Sequence, residues 1–448
     1  MFTLPKEVND FLITFTKKKY PIYVVGGAVR NLLLQKPVTN WDFATAATPE
    51  EILQLYPDGF YNNQFGTVGL EKEVAGVKLI FEVTTFRKEG QYRDRRHPDK
   101  IEWAKTIEDD LARRDFTINA MAYDGQRLID PYDGQRHLRE KRIVAVGDPD
   151  KRFTEDALRL IRAVRFAAQL EFLLDEPTRL SIQRNAPLIA NISAERIRDE
   201  FFKILVSPHP DEGVLFLKNT GLLACLLPEV DICFMIPQKS PKRHHIYDVG
   251  THLAMSLKHC PSADVITRFA TLLHDIGKAT TFRRDKTTGL ITFYNHEVAG
   301  TRLVQAIAER FRLSNLEKKK LVTLVKYHQF TVNEGQTDKT LRRFIRQVGT
   351  EYLNDILALR TGDRIGSGAR PTSWRFDLFK KRLVEVQKSP FRVTDVKITG
   401  YDVMKVVNIK PGPKIGKILS KIFNDVEEGR LKNERAPLLS YLRDLGKS

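Results

Sequence analysis

An α+β fold is the expectation for this chain, with a mixed strand-and-helix head to about residue 145 and helices from there to the end. Three observations predict it. IYVVGGAVRNLLLQKPVTNWDFAT (22–45) reads as an apolar strand, a Gly-Gly turn, a helix and a second strand. KLIFEVTTF (78–86) is rich in β-branched and aromatic residues, as strands are. From Thr154 the apolar period becomes helical, with Leu158, Ile161, Val164 and Ala168 on one stripe.

The remaining elements follow in order. KEGQYRDRRHPDK (88–100) is charged and apolar-poor, so it is expected to be a loop. RLIDPYDGQRHL (127–138) reads as strand, turn and connection, with Asp130-Pro131 and Asp133-Gly134 as turn signals. SAERIRDEFFKIL opens with Ser193 at an N-cap position. PQKSPKRHH (237–245) reads as a linker, a second helical unit runs from about 246 to 370, and a basic helical tail follows.

The chain carries 73 basic against 56 acidic residues, a net charge of +17. That balance favours an anionic polymer as partner over a small neutral metabolite. Cys225, Cys233 and Cys260 lack metal-ligand spacing and are too few for a disulfide framework, which suits a reducing cytosol. No charged-then-apolar leader opens the chain, and no apolar run approaches the roughly 18 residues of a membrane span. A cytoplasmic protein is expected.

The chemistry begins at Gly26 and Gly27. Glycine lets the backbone approach a bound anion, and Arg30 follows on the helix. Asp42 lies on the next strand, between Trp41 and Phe43. A phosphate-cradling turn beside an acidic strand suits an enzyme that moves nucleotides on magnesium.

Gly26, Gly27, Val29, Arg30, Asp42, Ala44, Thr45, Thr48, Pro49 and Glu50 together resemble the head of the class II tRNA nucleotidyltransferase and bacterial poly(A) polymerase family, which reads GGxVRD, DxD and ATxATPEE. The resemblance implies a nucleotidyltransferase α/β head, an all-α neck and body, and catalytic Mg²⁺ held by both carboxylates of DxD. Two residues depart from it. Asn31 replaces the Asp after Arg30, and Asn40 replaces the first Asp of the pair. An amide ligates Mg²⁺ through one neutral oxygen, so Asn40 weakens the site. Glu82 in FEVTTFR is a candidate third carboxylate. DLARRDFTINAMAY (110–123) matches the RRDFTIN motif. By the resemblance Arg113 and Arg114 lie near the triphosphate, Arg114 with a catalytic part, while Asp115 and Asn119 position loop and sugar.

EDALR (155–159) matches EDxxR, whose Asp and Arg meet the incoming base in that family. On a helix, Asp156 and Arg159 are expected at i and i+3 on one face. A carboxylate accepts from the exocyclic amino group that cytosine and adenine share, and a guanidinium donates to ring nitrogen or carbonyl acceptors. Uracil lacks that amino group and guanine misplaces it. Arg162 and Arg165, in RAVRF, complete the expected nucleotide-binding set. ISAERIRDEFFKIL resembles the family's neck helix and PGPKIG (411–416) its tail.

A second constellation occupies 252–363: His252, then His274-Asp275 in LLHDIGK, His296, His328 and Asp363. Such ligands suit Mn²⁺, Fe, Co or Ni more than Ca²⁺. The pattern resembles the HD phosphohydrolase superfamily. That resemblance implies His252, His274, Asp275 and Asp363 as a metal quartet, with His296 and His328 as added ligands of binuclear members or as phosphate contacts. Lys278 reads equally as a phosphate neutraliser or a solvated helix-end lysine.

The expected division is 1–145 for the transferase head, 146–236 for a neck and body that bind base and tRNA, 245–370 for the HD unit, and 371–448 for a basic RNA-binding tail. The leading reading is addition of CCA, or part of it, to the tRNA acceptor arm from CTP and ATP. Phosphate or 2′,3′-cyclic phosphate ends would be hydrolysed at the HD unit. A poly(A) polymerase stays open as an alternative. So does an RNA-binding HD hydrolase whose head is impaired by Asn40. The oligomeric state is left open.

Overall fold

The computed structural model describes residues 3–63, 66–88, 102–238, 247–387, 393–427 and 430–445. The fold is α+β, a sheet-bearing head followed by a helical body. Residues 89–100 of the loop expected at 88–100 and most of the linker expected at 237–245 lie outside the described residues; Lys88 itself ends the short strand Arg87–Lys88.

The head sheet is built on β1 (Ile22–Val25), β2 (Trp41–Thr45), β3 (Phe60–Asn63), β4 (Thr67–Val74) and β5 (Val77–Thr85). Its order is β3-β4-β5-β2-β1, extended by the short strands Ala122–Tyr123 and Leu128–Ile129. Within this sheet only β2 and β5 pair in parallel, with Trp41 opposite Phe81, Asp42 opposite Glu82 and Phe43 opposite Val83. Alternation along a strand then sorts the side chains. Trp41, Phe43, Phe81 and Val83 are buried on one face. There Phe11 of the Lys6–Lys17 helix packs its ring 4.8 Å from Phe43 and 5.1 Å from Phe81. Asp42 and Glu82 are left together on the other face, in the pocket described below.

One large apolar core links buried residues from Val8 to Val386, and a small second cluster, with Val25, Ala44, Phe86 and Leu111, lies in the head. The expected stripe Leu158, Ile161, Val164 and Ala168 is buried in the large core. The tail packs a separate core around Val403, Ile422, Phe423, Leu438 and Leu442. Arg346 reaches Glu427 at 2.7 Å and ties the tail to the helical body.

Three local expectations change. Helix starts earlier than Thr154, at Pro149, because Asp148 caps it and proline suits a first helical position. The expected connection after the 130–134 turn contains a helix, Gly134–Arg139, opened by Asp130 accepting from the backbone N–H of Gly134 and Gln135 at 2.6 and 2.9 Å. Ser193 does occupy the N-cap position of Ala194–Leu205, but its hydroxyl makes no capping bond.

Candidate functional site

A cavity of about 840 Å³ opens between the polar face of β2 and β5 and the Leu158–Leu170 helix. Gly26 sits at its mouth with φ +67, and a Cβ there would stand 2.9 Å from Nη1 of Arg114, so this turn requires glycine. Gly27 begins the Gly27–Leu33 helix, which carries Arg30.

Asp42 and Glu82 are registered neighbours across the parallel pair, and Asn40 lies at the same rim. Burial, and then the Glu82 charge, raise the Asp42 carboxyl above its ordinary range, while Arg114 and Arg30 pull it down. Two like charges this close ask for a cation between them. Asn40 can add one neutral oxygen. The donor set therefore fits one divalent ion, held by two carboxylates and one neutral amide oxygen.

The opposite wall is made of arginines. Asp110, fully buried at the end of the Ile107–Ala112 helix, holds Arg113 at 2.6 Å and Arg114 at 3.1 Å. Arg30 donates to the side-chain carbonyl of Asn119 at 2.7 Å and through two nitrogens to that of Asn31. Asp115 accepts both Nε and Nη2 of Arg162, at 2.8 and 2.6 Å, and a hydrogen bond from Asn119 at 3.3 Å. Burial opposes ionisation of Asp115, but Arg162 and Asn119 outweigh it and hold its pKa at about 2. Glu200, on the Ala194–Leu205 helix, receives Arg165 at 2.9 Å and Lys203 at 3.1 Å. Burial and the neighbouring Arg162 depress Arg165 to about 10 even so.

The structure corrects the base-reading pair. Asp156 and Arg159 both line the cavity, but they do not share one helix. The first helix ends at Glu155 and the next starts at Leu158, with Asp156 extended between them at φ −142 and ψ 104. The Asp156 side chain accepts the Leu158 N–H at 3.0 Å, so the carboxylate competes with the helix for its own backbone. Its other oxygen meets Arg196 of the neck helix at 3.3 Å. Arg159 is fixed by Glu155 at 2.9 Å and by the carbonyls of Arg152 and Arg113. Sequence reasoning missed Asp110, Glu200 and Arg196. An i+3 and i+4 carboxylate before Arg113-Arg114 was a readable signal for Asp110; Arg196 and Glu200 depend on how two helices pack.

The second constellation assembles completely. His252 sits on Val249–Lys258, His274-Asp275 just after Val265–Leu273, His296 at the start of His296–Arg310, His328 after Asn315–Tyr327, and Asp363 on Leu353–Gly366. Glycines permit the approach. A Cβ on Gly277 would overlap the carbonyl of His296, and one on Gly362 would stand 2.5 Å from the carbonyl of Ser256. Asp275 divides its oxygens: Oδ2 faces His252 and His274 at 3.4 and 3.3 Å, Oδ1 faces His296 and His328 at 3.1 and 3.5 Å. Asp363 joins the first group, 3.4 Å from His252 and 3.7 Å from His274.

His274, His296 and His328 each turn Nδ1 to a backbone carbonyl, at 2.7, 2.9 and 2.7 Å. Their Nε2 lone pairs then point inward, yet Nε2 of His296 and His328 are 3.3 Å apart, and those of His252 and His274 are 3.2 Å apart. Buried lone pairs facing each other repel unless a cation lies between them. The donor set fits metal, as two groups that share Asp275. Lys278 is not a solvated lysine: it is buried, lines the adjoining cavity and is bonded to Asp275 at 2.5 Å and to Gln238 at 2.7 Å. Arg360 and Arg364 line the adjoining cavity of about 590 Å³, and neither was singled out from sequence.

Comparison with known proteins agrees with this architecture. Residues 22–144 match the poly A polymerase head domain, 171–233 the probable RNA and SrmB-binding site of polymerase A, and 293–442 tRNA nucleotidyltransferase domain 2. All three matched descriptions are of domains found in tRNA nucleotidyltransferases and poly(A) polymerases, and together they run along most of the chain. Among its relatives, a CCA-adding enzyme of Geobacillus sp. strain WCH70 is 45% identical over 215 residues, 48% of this chain and 52% of that protein. This match spans about half of that relative's length. A CCA-adding enzyme of Streptococcus pyogenes is 28% identical over 99% of this chain and 98% of its own length. The crystal structure of the Bacillus stearothermophilus CCA-adding enzyme in complex with CTP superposes with a TM-score of 0.73 at 26% identity, over 99% of this chain and 97% of that one. The Thermotoga maritima CCA-adding enzyme complexed with tRNA shares the fold, with a TM-score of 0.61 at 19% identity. No helix among the described residues is long and apolar enough to cross a membrane.

Proposed function

We propose that this chain adds C and A residues to tRNA 3′ ends from CTP and ATP. The observation that carries the reading is the single cavity in which the Asp42–Glu82 carboxylate pair faces an arginine wall and Asp156. The tRNA 3′-hydroxyl attacks the α-phosphorus of the bound nucleotide and pyrophosphate leaves. Arg30, Arg113 and Arg114 take the triphosphate, while Arg162 is kept in place by Asp115. Asp156 accepts from the exocyclic amino group of cytosine or adenine, beside the fixed guanidinium of Arg159. A Mg²⁺ ion held by Asp42 and Glu82, with the carbonyl of Asn40, supplies charge compensation at the reacting phosphate when bound. The surplus of basic residues and the helical body suit contact with the acceptor arm by shape and phosphate.

The unit 245–370 acts, in this reading, as an HD phosphohydrolase. Its His and Asp donors hold transition-metal ions such as Mn²⁺, Fe, Co or Ni. Arg360 and Arg364 stand where a substrate phosphate would enter. Removing a terminal phosphate or opening a 2′,3′-cyclic phosphate restores the 3′-hydroxyl that transfer needs, so trimming and addition are complementary. The head at 1–145, the neck and body at 146–236 and the tail at 371–448 divide the remaining work among catalysis, base reading and RNA binding.

Incubation of the full chain with truncated tRNA and each labelled nucleotide tests the assignment. Addition of C, C and A supports it, a long A tail makes the protein a poly(A) polymerase, and no addition leaves an RNA-binding hydrolase, the reading that Asn40 favours.

A further inference from the structure

The cavity of the head holds more positive charge than its own carboxylates balance. Asp110 serves two arginines, and Glu200 serves Arg165 and Lys203 while also lying 4.0 Å from Arg162. Arg30 has its hydrogen bonds to amides, those of Asn31 and Asn119, which orient the guanidinium without cancelling its charge. At position 31 an aspartate would make the same two bonds and neutralise Arg30. Asparagine at 40 removes a second negative charge from the same cavity. Two buried donors, Nε of Arg165 and Nη1 of Arg196, find no acceptor among the described residues, and both side chains line the cavity. Each guanidinium is paired through another nitrogen, to Glu200 and to Asp156, but a buried N–H without an acceptor is costly, and a polyanion satisfies it.

Resting on the transferase reading above, we propose that this cavity binds the triphosphate tail of its nucleotide through guanidinium groups alone, so that divalent metal is needed for transfer and not for nucleotide binding. The two asparagines are the cause: each replaces a negative charge that would repel the tail unless a metal ion stood between them. Burial chiefly, and then the neighbouring positive charge of Arg162, depress Arg165 to about 10.

Isothermal titration of the full chain tests this with CTP, with ATP and with inorganic tripolyphosphate, each in excess EDTA and in saturating Mg²⁺. CTP should bind in EDTA with a dissociation constant in the same order of magnitude as in Mg²⁺, and tripolyphosphate should compete with it. Arg30→Gln should weaken binding in EDTA by roughly tenfold or more, since hydrogen bonds to charged groups are the strong ones. Asn31→Asp and Asn40→Asp preserve size and shape, and each should weaken binding in EDTA by roughly tenfold while leaving binding in Mg²⁺ much less affected. Binding of CTP in Mg²⁺ but not in EDTA would overturn the inference and leave the transferase reading standing, as would CTP binding in EDTA that tripolyphosphate cannot displace. Failure of both CTP and ATP to bind under either condition would overturn both.

Discussion

Replacement of Asp156 separates base reading from helix capping. One oxygen of this carboxylate holds the Leu158 N–H at 3.0 Å, and the other meets Arg196 at 3.3 Å. Asp156→Ala removes both, so it should cost about 1 kcal/mol of stability through the lost cap and about 1–3 kcal/mol of discrimination through the lost base contact. Asp156→Asn keeps the oxygen that caps Leu158 but turns the other into an NH₂ donor, which meets the exocyclic amino group of cytosine or adenine donor to donor. It also gives up the partly exposed Arg196 pair, worth about 0–1 kcal/mol, so its stability should fall by no more than that while selectivity falls as far as in the alanine variant, roughly 5- to 150-fold. The assay is single-turnover addition to truncated tRNA with CTP, ATP, UTP and GTP in turn, beside tRNA affinity and thermal unfolding. Transfer from CTP and ATP should fall, that from UTP and GTP should rise relative to it, and tRNA affinity should hold, because Asp156 faces the nucleotide cavity. An Asp156→Asn enzyme that still selects C and A would refute the reasoning and reduce Asp156 to a helix cap and an ion pair.

Asn40→Asp should raise nucleotidyl transfer at least tenfold by restoring metal-site charge; equal rates at saturating Mg²⁺ would show that Asp42 and Glu82 suffice. His274→Ala combined with Asp275→Ala should abolish metal-dependent hydrolysis of a 2′,3′-cyclic phosphate and empty the site by elemental analysis, while transfer continues; hydrolysis by a metal-free variant would sink the HD assignment. Asp115, whose burial is outweighed by Arg162 and Asn119 so that its pKa stands at about 2, is a depressed carboxylate; its stabilisation is complete above its ordinary value near 3.8 and is lost as pH falls towards 2. The stability gap between the protein and Asp115→Asn should therefore be about 2 kcal/mol at neutral pH and shrink in acid; a gap that does not change with pH would mean that the Arg162 pairing contributes nothing to folding.

What the sequence determined by itself was the alternation, the periodicity and the identity of chemistry-bearing groups. Alternation in WDFAT and in KLIFEVTTF already placed Asp42 and Glu82 opposite the apolar side chains of their strands, because successive strand residues face opposite ways. The Gly-Gly turn was legible for a similar local reason, the positive φ at Gly26. The six donors of the second constellation were also legible, since HD followed by IGK, with histidines before and after it, is a far narrower pattern than a lone histidine. Tertiary structure decided the rest. That Asp42 and Glu82 lie in register across a parallel pair depends on sheet topology, which no local pattern encodes. The helix break at Asp156 was invisible because its side chain competes for backbone hydrogen bonds only in the packed chain, with Arg196 of a distant helix to hold it. Lys278 read equally as a solvated residue because Gln238 and Asp275, which bury and bond it, meet it only in the folded chain. Glu200 was an ordinary helix acid in the sequence, and folding made it the shared anchor of Lys203, three residues on, and of Arg165, which only helix packing brings against it.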